Sequence, residues 1–388
     1  MESEEFDSPN GKKVLAALAV VFFAWGSLWS GTHALQLVRQ NSLNANNDIG
    51  TRAASAVNSL PVAVNSSSKR IANDSGLSKT ANDSTPGLTG PNISNSTSFK
   101  ETVDVAGTVK ILFGGDVMLD RGVRKLGEEN GYASLFADLV PLFKEEDLVV
   151  ANLEGTITDN PSKTLLWNGA MSKELTFTFD PKTAPVLAEA GFSAFSLANN
   201  HSDNFGRSGV AETRKYLEAA GLKWFGDPGN LSGTESVVTI KGLKIALVGY
   251  NSFDSGLANI LSDIRRLSAE GDFVIVMPHW GEEYQAATDG ERDMARQLIA
   301  AGAKAIIGSH PHVVQDQTFI GDVPVFYSLG NLLFDQYFSP QVMSGELVEL
   351  DLVPSASGPR LSDIKIRRTS TASRQGVQLV GSVMDFWP

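Results

Sequence analysis

Ala305-Ile306-Ile307-Gly308-Ser309-His310-Pro311-His312 is the stretch on which the fold of this chain turns. A short β-branched run ends at a glycine and then in polar residues, the pattern of a buried strand that delivers side chains at its carboxyl end. The pattern recurs upstream. Lys110 to Phe113 runs into Gly114-Gly115-Asp116, Leu148 to Ala151 into Asn152-Leu153-Glu154, and Ala194 to Ala198 into Asn199-Asn200-His201. Phe273 to Met277 runs into Pro278-His279-Trp280-Gly281. In α/β sheets the crevice beyond the strand carboxyl ends is where ligands bind, because the loops converge there while the strands hold them in place. The motifs therefore predict one shared site.

Between these runs the sequence predicts helices at Ser134 to Phe143, Thr183 to Ala190, Val210 to Ala220, Ile260 to Ala269 and Glu291 to Ala301. Several end at a glycine that can supply a left-handed cap, as at Gly191, Gly221 and Gly302. Alternation of strands and helices means an α/β layered domain. Toward the carboxyl terminus strands follow without helices, at Val325 to Tyr327, Glu346 to Val353 and Leu361 to Arg367, which predicts an antiparallel portion or a second sheet. No internal repeat is evident.

Four of the five histidines, His201, His279, His310 and His312, sit in the strand-end motifs, and there is no cysteine. Thiolate ligands, disulfides and a cysteine nucleophile are thereby excluded. Mixed carboxylate and imidazole donors suit Zn²⁺, Mn²⁺ or Fe²⁺, and two such ions about 3.5 to 4 Å apart can clamp a phosphoryl group. Asp116, Glu154, Asn200, His279, His310 and His312 supply that ligand set, with the longer Glu154 able to bridge. His310 and His312 are expected to leave an extended segment on the same side, with Pro311 restricting the backbone between them. Each motif also has a plainer reading, as a turn, a loop cap or a satisfied polar histidine. Their coincidence favours the metal site.

The residues from Val14 to Val38 carry no formal charge and follow Lys12-Lys13. At about 1.5 Å per residue this stretch crosses a hydrocarbon core of about 30 Å. The reading is a cytoplasmic amino terminus over 1–13 and a single-pass signal-anchor over 14–38, with the domain on the extracytoplasmic side of the cell membrane; the alternative is a cleaved signal peptide. Residues 39–106 are crowded with Ser and Asn, and no aromatic residue lies between Trp29 and Phe99. Such a segment cannot bury enough apolar surface to become ordered, so it is expected to be a flexible linker spanning about 40 to 50 Å. The domain itself is expected over 107–388.

From Gly107 onward there are 24 Lys and Arg against 35 Asp and Glu, so the domain holds about −11 of the total charge of −12. A nucleic-acid partner is disfavoured. The absence of a Gly-x-x-x-x-Gly-Lys-Ser/Thr loop places ATP-driven ligation in another polypeptide. No Gly-x-Ser-x-Gly elbow or His-Glu-x-x-His helix occurs either, which removes two other hydrolase classes.

Six motifs together resemble the bacterial capsule-synthesis CapA-like family, similar to the accessory subunit of poly-gamma-glutamate synthesis. They are Gly115-Asp116-Val117-Met118, Asn152-Leu153-Glu154, Ala198-Asn199-Asn200-His201, His279-Trp280-Gly281 with Glu283-Tyr284, Gly308-Ser309-His310-Pro311-His312, and Tyr327-Ser328-Leu329-Gly330-Asn331. That family looks like a branch of the calcineurin-like metallophosphoesterases, which implies a four-layer sandwich of two β-sheets flanked by helices. The resemblance implies two divalent ions, Asp116 and His312 on one, Asn200, His279 and His310 on the other, and Glu154 on both. It makes His201 the general acid for the leaving group, after in-line attack by a metal-activated water. Asn199, Trp280, Tyr284 and Asn331 are expected to line the substrate pocket. Two positions depart from the wider superfamily: Met118 stands where a histidine ligand is usual, and Glu154 replaces an aspartate. Two functions are expected from this. One is a membrane-anchored, metal-dependent hydrolase acting on an anionic surface polymer or a phosphorylated precursor. The other is a non-catalytic accessory protein that binds the polymer through metal ions beside a membrane synthetase complex.

Overall fold

Val109–Val117 (β1) is buried along almost its whole length, which is why its sequence is a nearly continuous run of small and apolar residues rather than an alternation. Both faces are covered. The computed structural model describes residues 107–164 and 173–386. The expected cytoplasmic segment 1–13, anchor 14–38 and linker 39–106 lie outside the described residues.

After β1 come α1 (Arg121–Asn130), a 3-10 turn (Tyr132–Phe136), α2 (Val140–Phe143), β2 (Leu148–Leu153), β3 (Thr156–Ile157) and β4 (Thr178–Phe179). The next elements are α3 (Thr183–Ala190), β5 (Ala194–Ser196), α4 (Gly206–Ala219), β6 (Lys223–Phe225), β7 (Ser236–Ile240) and β8 (Leu243–Asn251). Then follow α5 (Leu257–Ala269), β9 (Phe273–His279), α6 (Asp289–Ala301), β10 (Ala305–Ile307), β11 (Gln317–Ile320) and β12 (Val323–Phe326). The chain closes with β13 (Asn331–Leu333), β14 (Ser344–Ser355), β15 (Gly358–Ser370) and β16 (Gln378–Asp385).

One sheet runs β16-β15-β14-β1-β2-β5-β6, with β13 also beside β1, and the other runs β11-β12-β10-β9-β8-β7. In the first sheet β1, β2, β5 and β6 are parallel, and β14 to β16 extend it in antiparallel fashion. In the second, β8, β9, β10 and β12 are parallel between two antiparallel edges. Alternation along the strands separates three cores. Ile111, Phe113 and Val150 meet Leu247, Ile275 and Ile307 between the sheets. Leu112, Val149 and Phe195 on the outer face of the first sheet pack with Val123, Leu187 and Leu217 of the helices. Val248, Val276 and Ile306 on the outer face of the second pack with Ile260, Ile264 and Leu298. The result is an α/β arrangement in four layers: helices, sheet, sheet, helices.

The expected helix at Ser134 to Phe143 is instead a 3-10 turn and the short α2, with Pro141 in the first turn of α2. Proline lacks the N–H that a continuous helix through this point would need. Helices α4, α5 and α6 start earlier than expected; the first turns of α4 and α6 are polar and carry no apolar period. At α6 the start is set by a capping box between Thr288 and Glu291. Helix α1 and strand β8 have no counterpart in the sequence reading. Val325 to Tyr327 falls on β12 of the second sheet, whereas the two later strands form the antiparallel extension of the first. No helix among the described residues is long and apolar enough to cross a membrane.

Candidate metal centre

The parallel strands of both sheets end at the same place. Asp116 near the end of β1 is in register with Asn152 on β2 and with Asn331 on β13, and Asn152 is in register with Ser196 on β5. From the second sheet, His279 ends β9 and is bridged to Ser309 just beyond β10. Gly115 lets β1 approach β13 closely, since a Cβ there would stand 1.9 Å from the Gly330 carbonyl oxygen.

Asp116, Glu154 and His312 bring one donor atom each within 4.8 Å of one another, and all three are buried. His312 Nδ1 lies 3.3 Å from Asp116 Oδ2, and Nε2 lies 3.6 Å from Glu154 Oε1. Burial by itself would lower the His312 pKa, but the Glu154 and Asp116 carboxylates outweigh it and raise the value to about 9. Burial pushes Glu154 well above the usual carboxylate range, with Asp116 adding to the rise and His312 opposing it. Glu154 Oε2 has no hydrogen-bond partner. A buried acceptor left in that state costs about 1–3 kcal/mol, and a cation beside it would remove the cost. The residues fit a divalent ion.

A second set of donors meets alongside. Asn200 Oδ1 lies 2.9 Å from His279 Nε2, and His310 Nδ1 lies 3.2 Å from the same nitrogen. Donors around a four-coordinate ion with bonds of about 2.0 to 2.1 Å stand about 3.3 Å apart, so this spacing also suits a cation. Burial lowers His310 to about 4 and His279 well below its usual value, and the neighbouring imidazoles add to the effect. Both are thus neutral, the form that binds metals. Ser309 Oγ, 3.0 Å from His279 Nδ1, is placed to accept the proton of the non-ligating nitrogen.

The expectation of an extended His310-Pro311-His312 segment is not met. His310 has φ 98° and His312 φ 58°, both left-handed, and the two imidazoles serve different donor sets with ring centroids 5.9 Å apart. Strain of this kind in non-glycine residues persists only where the surroundings over-determine it.

His201 follows Asn200 in the chain and, like it, is less buried than the carboxylate and imidazole donors. Its Nδ1 lies 3.2 Å from Asn204 Oδ1, an oxygen that also accepts the Phe177 backbone N–H at 2.7 Å. The shared acceptor makes Nδ1 the protonated nitrogen and leaves Nε2 with its lone pair. Burial lowers His201 to about 4, and the Asn204 hydrogen bond only partly opposes this.

The residues expected to line the pocket divide. Tyr284 is 41% exposed and borders a cavity of about 540 Å³ with Gln285, Val313, Gln315 and Gln341. Trp280 is instead in the core, its indole N–H donated to the Tyr327 carbonyl. Asn331 is buried and spent on protein: its Oδ1 lies 2.9 Å from His312 Nδ1, and its Nδ2 donates to Gln336 Oε1 and the Val342 carbonyl. Asn199 is buried too, donating to Asn152 Oδ1 and the Leu153 carbonyl. All three are buried, and Asn199 and Asn331 are spent on hydrogen bonds that hold Asn152 and His312. Met118 is buried, and its thioether accepts the Asp120 N–H at 3.0 Å.

Asn152 carries a role the sequence reading did not assign. Its Nδ2 donates to Asp116 Oδ1 at 2.8 Å and lies 3.3 Å from His279 Nδ1, so it stands where the two sheets touch. The signal was its place in Asn152-Leu153-Glu154, two positions before a ligand candidate and therefore on the same side of the strand.

Residues 110–336, more than half of the chain, match the family described as bacterial capsule synthesis protein PGA_cap. The chain belongs to that family. Among curated proteins this capsule-synthesis family member is 28% identical over 265 residues to the PGA biosynthesis protein CapA of Bacillus subtilis, covering 63% of this chain and 68% of that one. It is 29% identical over 244 residues to the capsule biosynthesis protein CapA of Bacillus anthracis, covering 57% and 59%. Among solved structures it is similar to the calcineurin-like phosphoesterase YfkN of Bacillus subtilis, with TM-score 0.44 and 15% identity, over 68% of this chain and 91% of that one.

Proposed function

We propose that this chain is a metal-dependent hydrolase of the phosphoesterase kind, tethered through residues 14–38 to the outer face of the cell membrane. Its substrate on this reading is an anionic surface polymer or a phosphorylated precursor, in the capsule or polyglutamate biosynthesis for which its relatives are named. The observation that carries the reading is the pair of donor sets converging beside His201. Asp116, Glu154 and His312 would hold one divalent ion, and Asn200, His279 and His310 the other, with the unpartnered Glu154 oxygen free to join both. Such ions, when bound, neutralise charge on the scissile group and activate water. The protein's own part is to keep His279 and His310 neutral by burial, orient His312 and His279 through Asn331 and Ser309, and place His201 beside the leaving oxygen, to which its Nε2, once it has taken up a proton, would pass that proton. The domain carries about −11, so bound cations would also be what lets an anionic polymer approach.

The test is metal analysis of the purified full chain together with hydrolysis of an aryl phosphate ester. Bound Mn, Fe or Zn and metal-dependent turnover are expected, both lost in a His279→Ala, His310→Ala double variant. Turnover that survives in that variant would overturn the reading.

One observation favours a second reading, a non-catalytic accessory protein that binds polymer through ions beside a synthetase complex. Met118 offers its sulfur to the Asp120 N–H, so the first position has only the three ligands described. This reading expects retained metal without hydrolysis of any ester, and polymer output unchanged by His201→Ala.

A further inference from the structure

Arg121 takes no part in either donor set, yet it is built into the wall of the same site. Its backbone has φ 51°, a left-handed conformation that costs a non-glycine residue about 1–3 kcal/mol. Its guanidinium lies 5.0 Å from the ring centre of Phe177 and 5.4 Å from that of Phe334. Phe177 in turn stacks on His201 at 4.3 Å, and Phe334 lies 4.7 Å from His312. The cation is thus one aromatic ring away from each of two imidazoles of the site. Its charge also reaches the Glu154 carboxyl and the Tyr284 hydroxyl, lowering the pKa of both against the larger effect of burial.

The position of the guanidinium is fixed from behind. Asp335 accepts from Arg121 Nη2, and its other oxygen accepts the Gly122 N–H at 2.9 Å. The Arg121 side chain is only 17% exposed, and its Nε is buried without a partner. A guanidinium offers five N–H donors in a planar fork, so one carboxylate contact leaves most of that capacity unused. The strained backbone and the largely desolvated cation carry a cost, against which the two aromatic contacts and the Asp335 ion pair act. Such an arrangement is accounted for when the unused donors meet a ligand.

We propose that Arg121 binds an oxyanion of the substrate beside the metal positions, a phosphoryl or carboxylate group recognised by its planar donors. The assignment rests on the site being a cation-dependent substrate site, as argued above. Asp335 is then the counter-charge of the guanidinium when no substrate is bound, while the two rings hold the fork in place.

Calorimetric titration of the full chain with Mn²⁺, then with orthophosphate or with a short synthetic glutamate oligomer, tests this. The variants are Arg121→Gln, Arg121→Lys and Asp335→Asn. Arg121→Gln should weaken at least one probe by about tenfold or more, the scale of losing hydrogen bonds to a charged group, with Mn²⁺ stoichiometry unchanged. Arg121→Lys should recover part of the loss, and Asp335→Asn, which releases the guanidinium from its counter-charge, should not weaken binding. Loss of the phosphate response alone identifies a phosphoryl group, and loss of the oligomer response alone a carboxylate. Equal binding of both probes by Arg121→Gln and the unsubstituted chain would overturn the proposal. So would equal weakening by Arg121→Gln and Asp335→Asn, which marks a structural latch. Should Arg121→Gln fail to fold, Arg121→Lys against Asp335→Asn carries the comparison. A chain that retains no Mn²⁺ would overturn the metal reading instead, while the two anion titrations still report on Arg121.

Discussion

His201 and Asn331 act at different distances from the chemistry, and single substitutions separate them. His201 contributes no donor atom to either set, and its Nδ1 is engaged by Asn204. His201→Ala is therefore expected to keep bound metal, measured by elemental analysis, while hydrolysis of an aryl phosphate falls by about 10² to 10⁴, the range for a lost proton-transfer group. Asn331 behaves in the opposite way. Its Oδ1 fixes the ring of His312 from the side away from Glu154, so Asn331→Leu removes no ligand but frees the imidazole to turn. Metal affinity is expected to fall by about 10- to 100-fold, read by competition with a chelating dye. An unchanged affinity would mean that packing against Phe334, 4.7 Å away, suffices to hold the ring.

Strand β14 joins the antiparallel extension to the parallel half of the first sheet, and its centre carries a buried charge. Glu349, fully enclosed, lies opposite Lys365 on β15 and accepts from Lys365 Nζ at 2.9 Å and Arg367 Nη1 at 2.6 Å. Burial works to raise the Glu349 pKa, but the two cations prevail and hold it at about 2, well below the ordinary carboxylate value of about 4.5. A carboxyl whose folded value lies below its unfolded value stabilises the fold fully above the unfolded value, and the contribution is lost as pH falls through the folded one. Stability toward urea is therefore expected to decline between about pH 4.5 and pH 2 through this group. Glu349→Gln should be less stable at neutral pH, because it removes the carboxylate that pairs with Arg367 and leaves Lys365 with Asp351 and Asp363 alone, and should show a shallower decline over that window. An identical slope in both proteins would remove Glu349 from the acid response.

Across the whole molecule, the two sheets meet at the strand ends that carry the donor sets, where the Asn152 contact with His279, the His310 N–H donated to Asp116 and the His279 contact with Asn200 span them. Without cations this end holds buried carboxylates and an orphaned acceptor, so ion binding should stabilise the entire domain rather than the loops alone. At a free concentration a hundredfold above its Kd, a ligand that binds only the folded state contributes about 2.7 kcal/mol. For a domain of this size that is a rise of about 5 °C or more in Tm, reversed by a chelator. Scanning calorimetry with and without Mn²⁺ checks it. A Tm insensitive to Mn²⁺, Zn²⁺ and Fe²⁺ alike would argue that the donor sets stay closed to ions.

The residues that end the strands were legible in the chain itself. Apolar runs such as Phe273 to Met277 and the polar tips that follow them are local patterns with a short period, and they forecast both an α/β architecture and a site built at strand ends. Which tip faces which was decided only by tertiary structure. The register of Asp116 with Asn152 and Asn331 joins positions far apart in sequence, and no local period encodes such a pairing. The same holds for the core position of Trp280, the left-handed turns at His310 and His312, and the wedging of Arg121 between Phe177 and Phe334. Hydrophobic burial selects the face a residue takes, which depends on its neighbours in sequence. Coordination depends on distances between strands, which exist only once the sheets have packed.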